Sequence, residues 1–360
     1  MNRRWLCNDV WMDILPFFDF LQLVLKLALI SPHFCALVDA HFNGKSELTI
    51  WSKINKHKGM PKLSVLTNCA NSVQFPLSDR PLPNNIRFKC LLIKYIDHSV
   101  IAFLRANQQI FDRRGTNLRL YVSSSSDDTD AKPIWNVFVR QILPIFASNI
   151  CHLDFFNAKH LDNLLRLKSP TILTDLKQLN SIYAKDLFPD TIDGVFDGPN
   201  ATSSAGQALS KWLHTPTTDG QLKRLFCNDC CGFNWVNEFK EKFCRATTFT
   251  ASYKIQFFAP KSMVVPFELV NDGTHEKLTL LRDIRNGSIN RWIMKRCQIG
   301  ETAAIHWEKE NLDDLSTVQF MLFGNKCIGP LSAPKKPDKA SQKGRLLTMS
   351  DGQKNNNNKQ

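Results

Sequence analysis

The stretch Ile150–Phe156, which reads ICHLDFF, decides the fold class of this chain because its apolar residues fall at strand spacing. The pattern I-x-x-L-x-F within it recurs in degraded form at residues 176–179 and 222–227. Successive side chains of a strand point to opposite faces of a sheet, so the inward apolar residues of each copy share one buried face. Helical patterns separate the copies, and strands joined through helices run parallel. The chain is therefore predicted to be an α/β protein.

Strand and helix patterns alternate from residue 87 to residue 258. The predicted strands are Arg87–Ile96, Asn117–Val122, Ile150–Phe156, Leu176–Tyr183, Leu222–Cys227 and Thr247–Phe258. The predicted helices are Val100–Phe111, Ile134–Phe146, His160–Leu167, Ser204–Leu213 and Trp235–Cys244. A repeated strand–helix unit with inward leucines is typical of a leucine-rich-repeat solenoid, so residues 87–258 are interpreted as an irregular leucine-rich-repeat-like region. The copies are unevenly spaced, and an ordinary α/β layer domain is the alternative.

The side chains that alternate with the inward leucines are candidates for contact with another protein. In a solenoid they line the concave face, and a mixture of aromatic and charged side chains suits protein recognition. The candidate target-binding residues are Arg119, Tyr121, His152, Asp154, Phe156, Asn180, Arg224 and Phe226. The alternative is a solvated face with scattered aromatic residues.

Residues 259–330 follow a different pattern. Short extended runs at Pro266–Val270, Leu278–Ile284 and Arg291–Cys297 are separated by Asn-Asp-Gly and Arg-Asn-Gly. Asp-Gly and Asn-Gly favour tight hairpin turns, which predicts an antiparallel meander that covers the open edge of the parallel sheet. A closing helix is predicted at about Ile305–Leu315. The polar, lysine-rich residues 331–360 are predicted to be a disordered basic tail.

Residues 1–45 carry three apolar helical patterns. The first covers Asn8–Phe17, the second covers Asp19–Ile30, and Ser31-Pro32 provides a cap followed by proline at the first position of the third. A segment of this length carries more apolar surface than it can bury alone. It therefore packs under the rest of the chain or is covered by another protein.

Residues 46–86 separate these helices from the alternating region. Prolines recur through the segment and no long periodic pattern is present. The segment is interpreted as an irregular linker, with short extended runs at Leu48–Trp51 and Leu63–Leu66.

The N-terminal segment resembles an F-box in the order and spacing of its landmarks. The opening Leu-Pro-x-Glu-aliphatic landmark corresponds to Leu6–Val10, and the Ile-Leu pair that follows corresponds to Ile14–Leu15. Asp19 then leads a leucine-rich helix, and the closing Val-Ser-x-x-Phe element corresponds to Ile30–Phe34. The chain also resembles the expanded F-box-like proteins of plant-parasitic nematodes in phrases such as LALISPHFCALVDAHF and VVPFELVNDGTHEKLTL.

In that family the F-box docks on the Skp adaptor of a cullin ubiquitin ligase, and the rest of the chain holds a protein target. The resemblance implies a non-catalytic substrate-recognition adaptor without a cofactor. Its partners would be a Skp-type adaptor, a cullin reached through that adaptor, and an unknown protein target. The implied Skp-adaptor-binding residues are Leu6, Val10, Trp11, Ile14, Leu15, Leu23, Leu25, Phe34 and Leu37. The alternative is a leucine-rich-repeat interaction scaffold without a ligase role, in which the same helices cap the solenoid.

Composition and charge narrow the classes of function. Of the net charge of +13, +5 comes from seven basic and two acidic residues within residues 331–360, which leaves +8 (13 − 5) for the remainder. This mild excess suits an acidic partner and is too diffuse for a nucleic-acid-binding stripe. The apolar run Ile14–Ile30 contains Asp19, Gln22 and Lys26, which argues against a membrane span or a signal peptide. The odd number of cysteines, 11, then indicates free thiols in the cytoplasm or nucleus.

No residue pattern predicts catalysis or a metal site. The His-Glu-x-x-His, Gly-x-Ser-x-Gly and glycine-rich phosphate-binding patterns are absent from the sequence. The motif Cys227-x-x-Cys230-Cys231, with Cys244 beyond it, raises the possibility of zinc. A structural zinc site normally takes its four ligands from two close pairs, and no second pair follows. Cys227 is instead expected to be a buried thiol at an inward strand position.

Overall fold

The computed structural model describes residues 7–42, 48–58, 60–66, 72–83, 86–112, 115–123, 131–155, 158–185, 205–217, 222–228, 234–248, 251–283, 290–300 and 315–332. The strands within these residues are β1 Leu48–His57, β2 Met60–Leu66, β3 Ser72–Pro76, β4 Ile86–Ile93, β5 Thr116–Ser123, β6 Ile150–Phe155, β7 Ser181–Lys185, β8 Lys223–Asn228, β9 Tyr253–Phe258, β10 Phe267–Asn271, β11 Glu276–Arg282, β12 Arg291–Gln298 and β13 Ser316–Phe323. They form one open sheet of 13 strands in the order β10-β11-β12-β9-β8-β7-β6-β5-β13-β4-β1-β2-β3. The protein is therefore mixed α/β, as predicted.

The helices connect the strands. They are α1 Asn8–Ile14, α2 Phe20–Gln22, α3 Pro32–Phe42, α4 His98–Ala106, α5 Gln108–Asp112, α6 Ala131–Val137, α7 Leu143–Phe146, α8 Ala158–Leu167, α9 Ile172–Asp175, α10 Ala205–His214 and α11 Asn234–Arg245. A 3₁₀ turn, Leu15–Phe17, follows α1, and π-helical turns at Leu23–Leu27 and Phe138–Ile142 follow α2 and α6. Another 3₁₀ turn, Asn325–Cys327, follows β13.

The centre of the sheet is parallel and follows the predicted strand order. Each strand from β5 to β8 pairs in parallel with the next one along the chain, which ends the parallel series at β9. The predicted strand at residues 176–183 begins later, because Leu176 and Leu179 pack as buried residues in the turn before β7. The recurring leucines are therefore inward residues, as expected, although those at 176 and 179 are not strand residues.

One face of the sheet packs against helices. Phe88 of β4 stacks on Phe111 of α5 with ring centroids 5.7 Å apart, and Phe257 of β9 meets Trp235 of α11 at 4.9 Å. The inward residues of the parallel strands are almost fully buried, and they are Leu118, Leu120, Val122, Leu153, Phe155, Ile182, Ala184, Leu225, Cys227, Ile255 and Phe257. We call this side the leucine face.

The most C-terminal of the described strands lies inside the sheet and not at its edge. Strand β13 pairs in parallel with β4 on one side and with β5 on the other. The segment after it continues the contact, since the backbone N–H groups of Ile96 and His98 donate to the carbonyls of Cys327 and Pro330. This strand was not predicted from the sequence. The helix predicted at about residues 305–315 lies almost entirely outside the described residues.

The interpretation of residues 46–86 as an irregular linker is wrong. Strands β1, β2 and β3 form antiparallel pairs there, and β1 joins the main sheet by pairing in parallel with β4. The two short extended runs seen in the sequence are parts of β1 and β2. The apolar side chains Ile50, Ile54, Leu63 and Val65 are buried, which explains why these strands extend the sheet despite their prolines.

The predicted meander is confirmed. Strands β10, β11 and β12 pair antiparallel in sequence order, and β12 pairs antiparallel with β9. The meander thus covers the edge that the parallel strands would leave open, which is the role predicted for it. A single sheet therefore runs through the regions 87–258 and 259–330, which the sequence analysis treated separately.

The three N-terminal helices also form as predicted. A side-chain oxygen of Asp19 accepts a hydrogen bond from the backbone N–H of Gln22 at 2.8 Å, and the hydroxyl of Ser31 accepts one from Phe34 at 3.2 Å. Both are N-terminal caps of the type expected from the sequence. The guanidinium of Arg80 donates to the carbonyls of Leu29 and Ile30 at 3.0 and 2.5 Å, which ties these helices to the segment before β4.

Candidate functional site

On the side of the sheet opposite the leucine face, residues align in rows across the strands, and several of them, among them Asn117, His152, Ser181 and Gln256, are buried. One row runs Thr317, Asn117, His152, Ser181, Arg224, Lys254, Lys295 and Thr279, and the next runs Gln319, Arg119, Asp154, Tyr183, Phe226, Gln256 and Ile293. The same face carries Trp51 and Phe323, each 52% exposed. We call it the open face.

The open face brings together six of the eight residues that the sequence analysis proposed for target binding. These six are Arg119, Tyr121, His152, Asp154, Arg224 and Phe226. Phe156 lies outside the described residues. Asn180 lies before β7, where its N–H donates to the carbonyl of Cys151 and its carbonyl accepts from the N–H of Arg224, so its backbone joins neighbouring strands.

Asp154 is the centre of a small polar cluster. Its carboxylate lies 3.6 Å from Nε of Arg119, and it accepts a hydrogen bond from the hydroxyl of Tyr121. Burial raises the pKa of Asp154 to about 6, although Arg119 and Tyr121 act in the opposite direction. The desolvation of the carboxylate therefore outweighs its partners, and the negative charge is held at a cost to stability.

His152 and Ser181 form a buried pair beside this cluster. Nδ1 of His152 and the Ser181 hydroxyl are 2.7 Å apart on adjacent strands. Burial and the positive charge of Arg119 lower the pKa of His152 to about 4, so the imidazole is neutral at pH 7. Both side chains are almost fully buried, so a neutral hydrogen bond between β6 and β7 is the role that the geometry supports.

Several open-face residues were not predicted from the sequence, among them Ser181, Tyr183, Lys254, Gln256 and Lys295. A signal for two of them was available, because Lys254 and Gln256 alternate with the buried Ile255 and Phe257 inside a predicted strand. The position of Lys295 could not be predicted in this way, because Lys295 lies beside Lys254 only through the pairing of β12 with β9.

The residues that the F-box resemblance implied for adaptor binding differ in accessibility. Val10 is 38% exposed, whereas Trp11, Ile14 and Phe34 are partly buried, and Trp11 meets Phe34 edge to face at 4.9 Å. Four others are buried in the core, namely Leu15, Leu23, Leu25 and Leu37. Leu6 lies outside the described residues. The buried leucines hold the helices together in this structure and offer no surface to a partner.

Three further apolar side chains of this segment, which were not among the proposed adaptor-binding residues, are exposed. Phe17 is 88% exposed after α1, and Ile30 is 60% exposed before α3. Phe18 is also exposed beside Phe17. Exposed aromatic and branched aliphatic side chains are typical anchors of a protein interface. The resemblance did not include them among the adaptor-binding residues, although Ile30 opens the Ile30–Phe34 landmark.

Neither a metal site nor a membrane-spanning helix is found in the part of the chain that the structure describes. No three His, Cys, Asp or Glu side chains there are close enough to hold a metal ion. Cys227 is buried on the leucine face and Cys244 is exposed on α11, while Cys230 and Cys231 lie outside the described residues. No described helix is long and apolar enough to cross a membrane.

Comparison with known proteins gives no family for this chain. No protein-family model, no curated protein and no solved structure matches it. Its function is therefore inferred from its own residues and from where the fold places them.

Replacement of Asp154 by asparagine is expected to change how stability depends on pH. Because the folded-state pKa of Asp154 is raised from 3.8 to about 6, the folded chain binds this proton more tightly than the unfolded chain. The contribution of Asp154 to stability is therefore least favourable above pH about 6 and improves as the pH falls towards about 4. Urea unfolding of both chains at several pH values should show that the free energy of unfolding of the wild type rises relative to that of Asp154→Asn as the pH is lowered. A difference that stays constant across this range would contradict the assignment.

Proposed function

We propose that this protein is the substrate-recognition adaptor of a Skp-cullin-F-box ubiquitin ligase. Helices α1 to α3 dock on a Skp-type adaptor, and the leucine-rich-repeat-like sheet region holds a protein target on its open face. The chain acts without catalytic residues of its own, because holding the target beside a ubiquitin-charged enzyme raises the effective concentration of the reactants. Such a protein would work in the cytoplasm, the nucleus or both.

The observation that carries this proposal is the exposed apolar surface of the segment that resembles an F-box. The three helices have the order expected for an F-box, and Phe17, Phe18, Ile30 and Val10 remain accessible although the leucines between them are buried. Covering a Phe or Ile side chain contributes about 1.5–3 kcal/mol before the cost of association. A protein partner that covers this surface explains why it is kept apolar.

Replacement of Val10 and Phe17 by aspartate is expected to abolish capture by a purified Skp-type adaptor. Each change puts a charge into an interface that would otherwise exclude water, which costs roughly 2 kcal/mol or more per unpaired charge. Both sites are accessible, so the fold should survive, whereas an aspartate at the fully buried Leu15 would disrupt the helices themselves. The measurement is a titration of adaptor against the immobilised full-length chain.

The matched control for this experiment is Met263→Asp with Val265→Asp. These side chains are 60% and 74% exposed in the segment between β9 and β10, so the control makes the same chemical change away from α1 to α3. The control is expected to bind as the wild type does. Equal binding by all three chains, or none by the wild type, would refute the docking surface.

The alternative function is an interaction scaffold with no ligase role. It is favoured by the two hydrogen bonds from Arg80 to the carbonyls of Leu29 and Ile30 and by the burial of Leu15, Leu23 and Leu25 in the common core. In that case α1 to α3 are an internal cap, and the wild-type chain does not bind the adaptor at all. The titration above therefore separates the two functions.

A further inference from the structure

Strand β10 forms one edge of the sheet in the part of the chain that the structure describes. It pairs antiparallel with β11 on one side, and the strand order has no strand beyond it. An edge strand presents unpaired backbone groups to other strands, and many proteins protect such an edge with lysine, proline or a β-bulge. The sequence of β10, FELVN, contains neither lysine nor proline, and its pairing with β11 is continuous. This edge is therefore able to accept a further strand.

The backbone hydrogen bonds of the meander show which groups of β11 point towards β10. The N–H of Ile299 donates to the carbonyl of His275, just before β11. The N–H of Asp283, just after β11, donates to the carbonyl of Arg291 on β12. Along an antiparallel ladder, hydrogen-bonded pairs alternate with pairs that are not hydrogen-bonded. The odd-numbered residues of β11 therefore bond to β12, and the even-numbered residues bond to β10.

Two residues of β10 consequently direct their backbone groups away from the sheet. The even-numbered residues of β11 are paired with Phe267, Leu269 and Asn271. The N–H and C=O groups of Glu268 and Val270, which lie between these residues, point outward, where no strand lies among the described residues. An antiparallel strand placed along β10 can form four backbone hydrogen bonds with these groups.

A second copy of β10 fits this edge when Leu269 of one copy lies opposite Leu269 of the other. Glu268 of each copy then lies opposite Val270 of the second copy, so all of their outward N–H and C=O groups are paired. The two leucines form a pair without hydrogen bonds, the kind in which side chains approach most closely. Leu269 and Phe267 are partly exposed and Val270 is 51% exposed, so this pairing covers apolar surface that a single chain leaves accessible.

The charges near this edge also suit a second copy in the same register. The carboxylate of Glu268 is 2.6 Å from the ammonium of Lys277, which lies opposite Val270 on β11. With Leu269 at the centre, two carboxylates and two ammonium groups surround the two-fold axis and no like charges face each other. A shift by two residues places Glu268 opposite either Glu268 or Asp272 of the second copy, and like charges directly opposite each other are destabilising. The charge pattern thus selects the register that pairs the backbone groups.

We propose that this protein forms a two-fold symmetric dimer in which the β10 strands of two copies pair antiparallel about Leu269. One short strand from each copy makes a small interface, so we expect a dissociation constant on the order of 10–100 µM. The sheet continues from one copy into the other, and both open faces lie on the same side of it. Two binding faces on one side increase the avidity for a target that carries two matching sites. The dimer itself does not depend on the ligase role.

The test is sedimentation equilibrium of the full-length chain from about 1 to about 200 µM, a range that includes the expected dissociation constant. The average mass of the wild type should rise from 41.2 kDa towards that of two chains. Val270→Glu places a carboxylate opposite Lys277 within the chain but opposite Glu268 of the second copy. It should therefore keep the fold and weaken the dimer by roughly tenfold or more. Adding Glu268→Lys to this variant makes the facing charges opposite at both positions and should restore the dimer.

The matched control is Val73→Glu, which makes the same chemical change on β3 at the other end of the strand order, where Val73 is 39% exposed. It is expected to dimerise as the wild type does. If Val270→Glu lowers the melting temperature, Val270→Pro replaces it, because it removes an outward N–H at a position where edge strands accept proline. This variant should also weaken the dimer.

Three results would overturn the proposal: a wild type that stays monomeric over the whole range, an equal weakening by Val73→Glu, or a charge-swapped double variant that stays monomeric. For a monomeric wild type, hydrogen exchange at the N–H groups of Glu268 and Val270 identifies what the edge binds instead. Slow exchange would show that another part of the same chain covers β10. Fast exchange would leave the edge to an extended segment of a different protein.

Discussion

A chain that ends at Leu315, and so lacks β13, is expected to lose its cooperative unfolding transition. Strand β13 is inserted between β4 and β5, and its side chains Val318, Phe320 and Leu322 are fully buried. Burial of three such side chains contributes about 1.5–3 kcal/mol each, and the ladder hydrogen bonds on both sides are lost as well. The total is comparable with the whole stability of an ordinary domain, about 5–15 kcal/mol.

Thermal melts followed by far-ultraviolet circular dichroism check this result. The control is a chain that ends at Ser332, which keeps β13 and the contacts of Cys327 and Pro330 while removing only the tail. It should melt at the temperature of the full-length protein. The substitution Phe320→Ala in the full chain should lower the free energy of unfolding by about 3–5 kcal/mol, because it leaves a cavity between the sheet and the ring of Phe138. A chain ending at Leu315 that melts like the control would show that β13 does not occupy the centre of the sheet.

The second large loss of stability is expected when the buried ion pair between β11 and β12 is broken. Nε and Nη2 of Arg296 on β12 each lie 2.7 Å from a carboxylate oxygen of Glu276 on β11, and both side chains are almost fully buried. Burial acts to lower the pKa of Arg296, but the hydrogen bonds and charges of Glu276 and Tyr253 together raise it above its ordinary value. Removing one partner of such a pair leaves an uncompensated buried charge. The change Glu276→Leu is therefore expected to cost about 3–5 kcal/mol.

Removing both charges distinguishes the contribution of the ion pair to stability from the cost of leaving one buried charge without its partner. The double variant Glu276→Leu with Arg296→Met should recover most of the loss, since apolar residues of similar size can replace a buried pair at little cost. Urea unfolding of the wild type, both single variants and the double variant gives the coupling energy. A double variant less stable than either single variant would show that the side chains act independently and that the pair is not formed.

The two binding proposals use separate parts of the chain. Adaptor docking depends on exposed apolar residues at the ends of α1 to α3, and target binding depends on charges and aromatic rings on the open face of the sheet. The alternation of residues between the two faces of β5, β6 and β8 was readable from the sequence, so six of the eight candidates lie on the open face. The burial of His152 and Asp154 was not readable in this way. The accessibility of Phe17 and Ile30 was not readable, because it depends on which residues the neighbouring helices cover.

Local patterns determined much of this protein. Alternating side chains predicted the parallel strands β4 to β9, Asp19 and Ser31 predicted the helix starts, and short extended runs separated by glycine-containing turns predicted the meander. The second of these turns, Asn286-Gly287, lies outside the described residues. Each of these features depends on residues that are only a few positions apart, so a short stretch of sequence is enough to predict it.

The tertiary structure alone decided which strands are neighbours. The sequence of β13, STVQFMLF, alternates as a strand should, but its partner residue Asn117 is 200 positions away from Thr317. The order β5-β13-β4 and the alignment of Arg224, Lys254 and Lys295 across β8, β9 and β12 come from such long-range pairings. Strand alternation repeats every two residues and is alike in all strands, so it shows which side chains are buried and leaves the choice of partner open. That choice is made by the packing of the whole sheet.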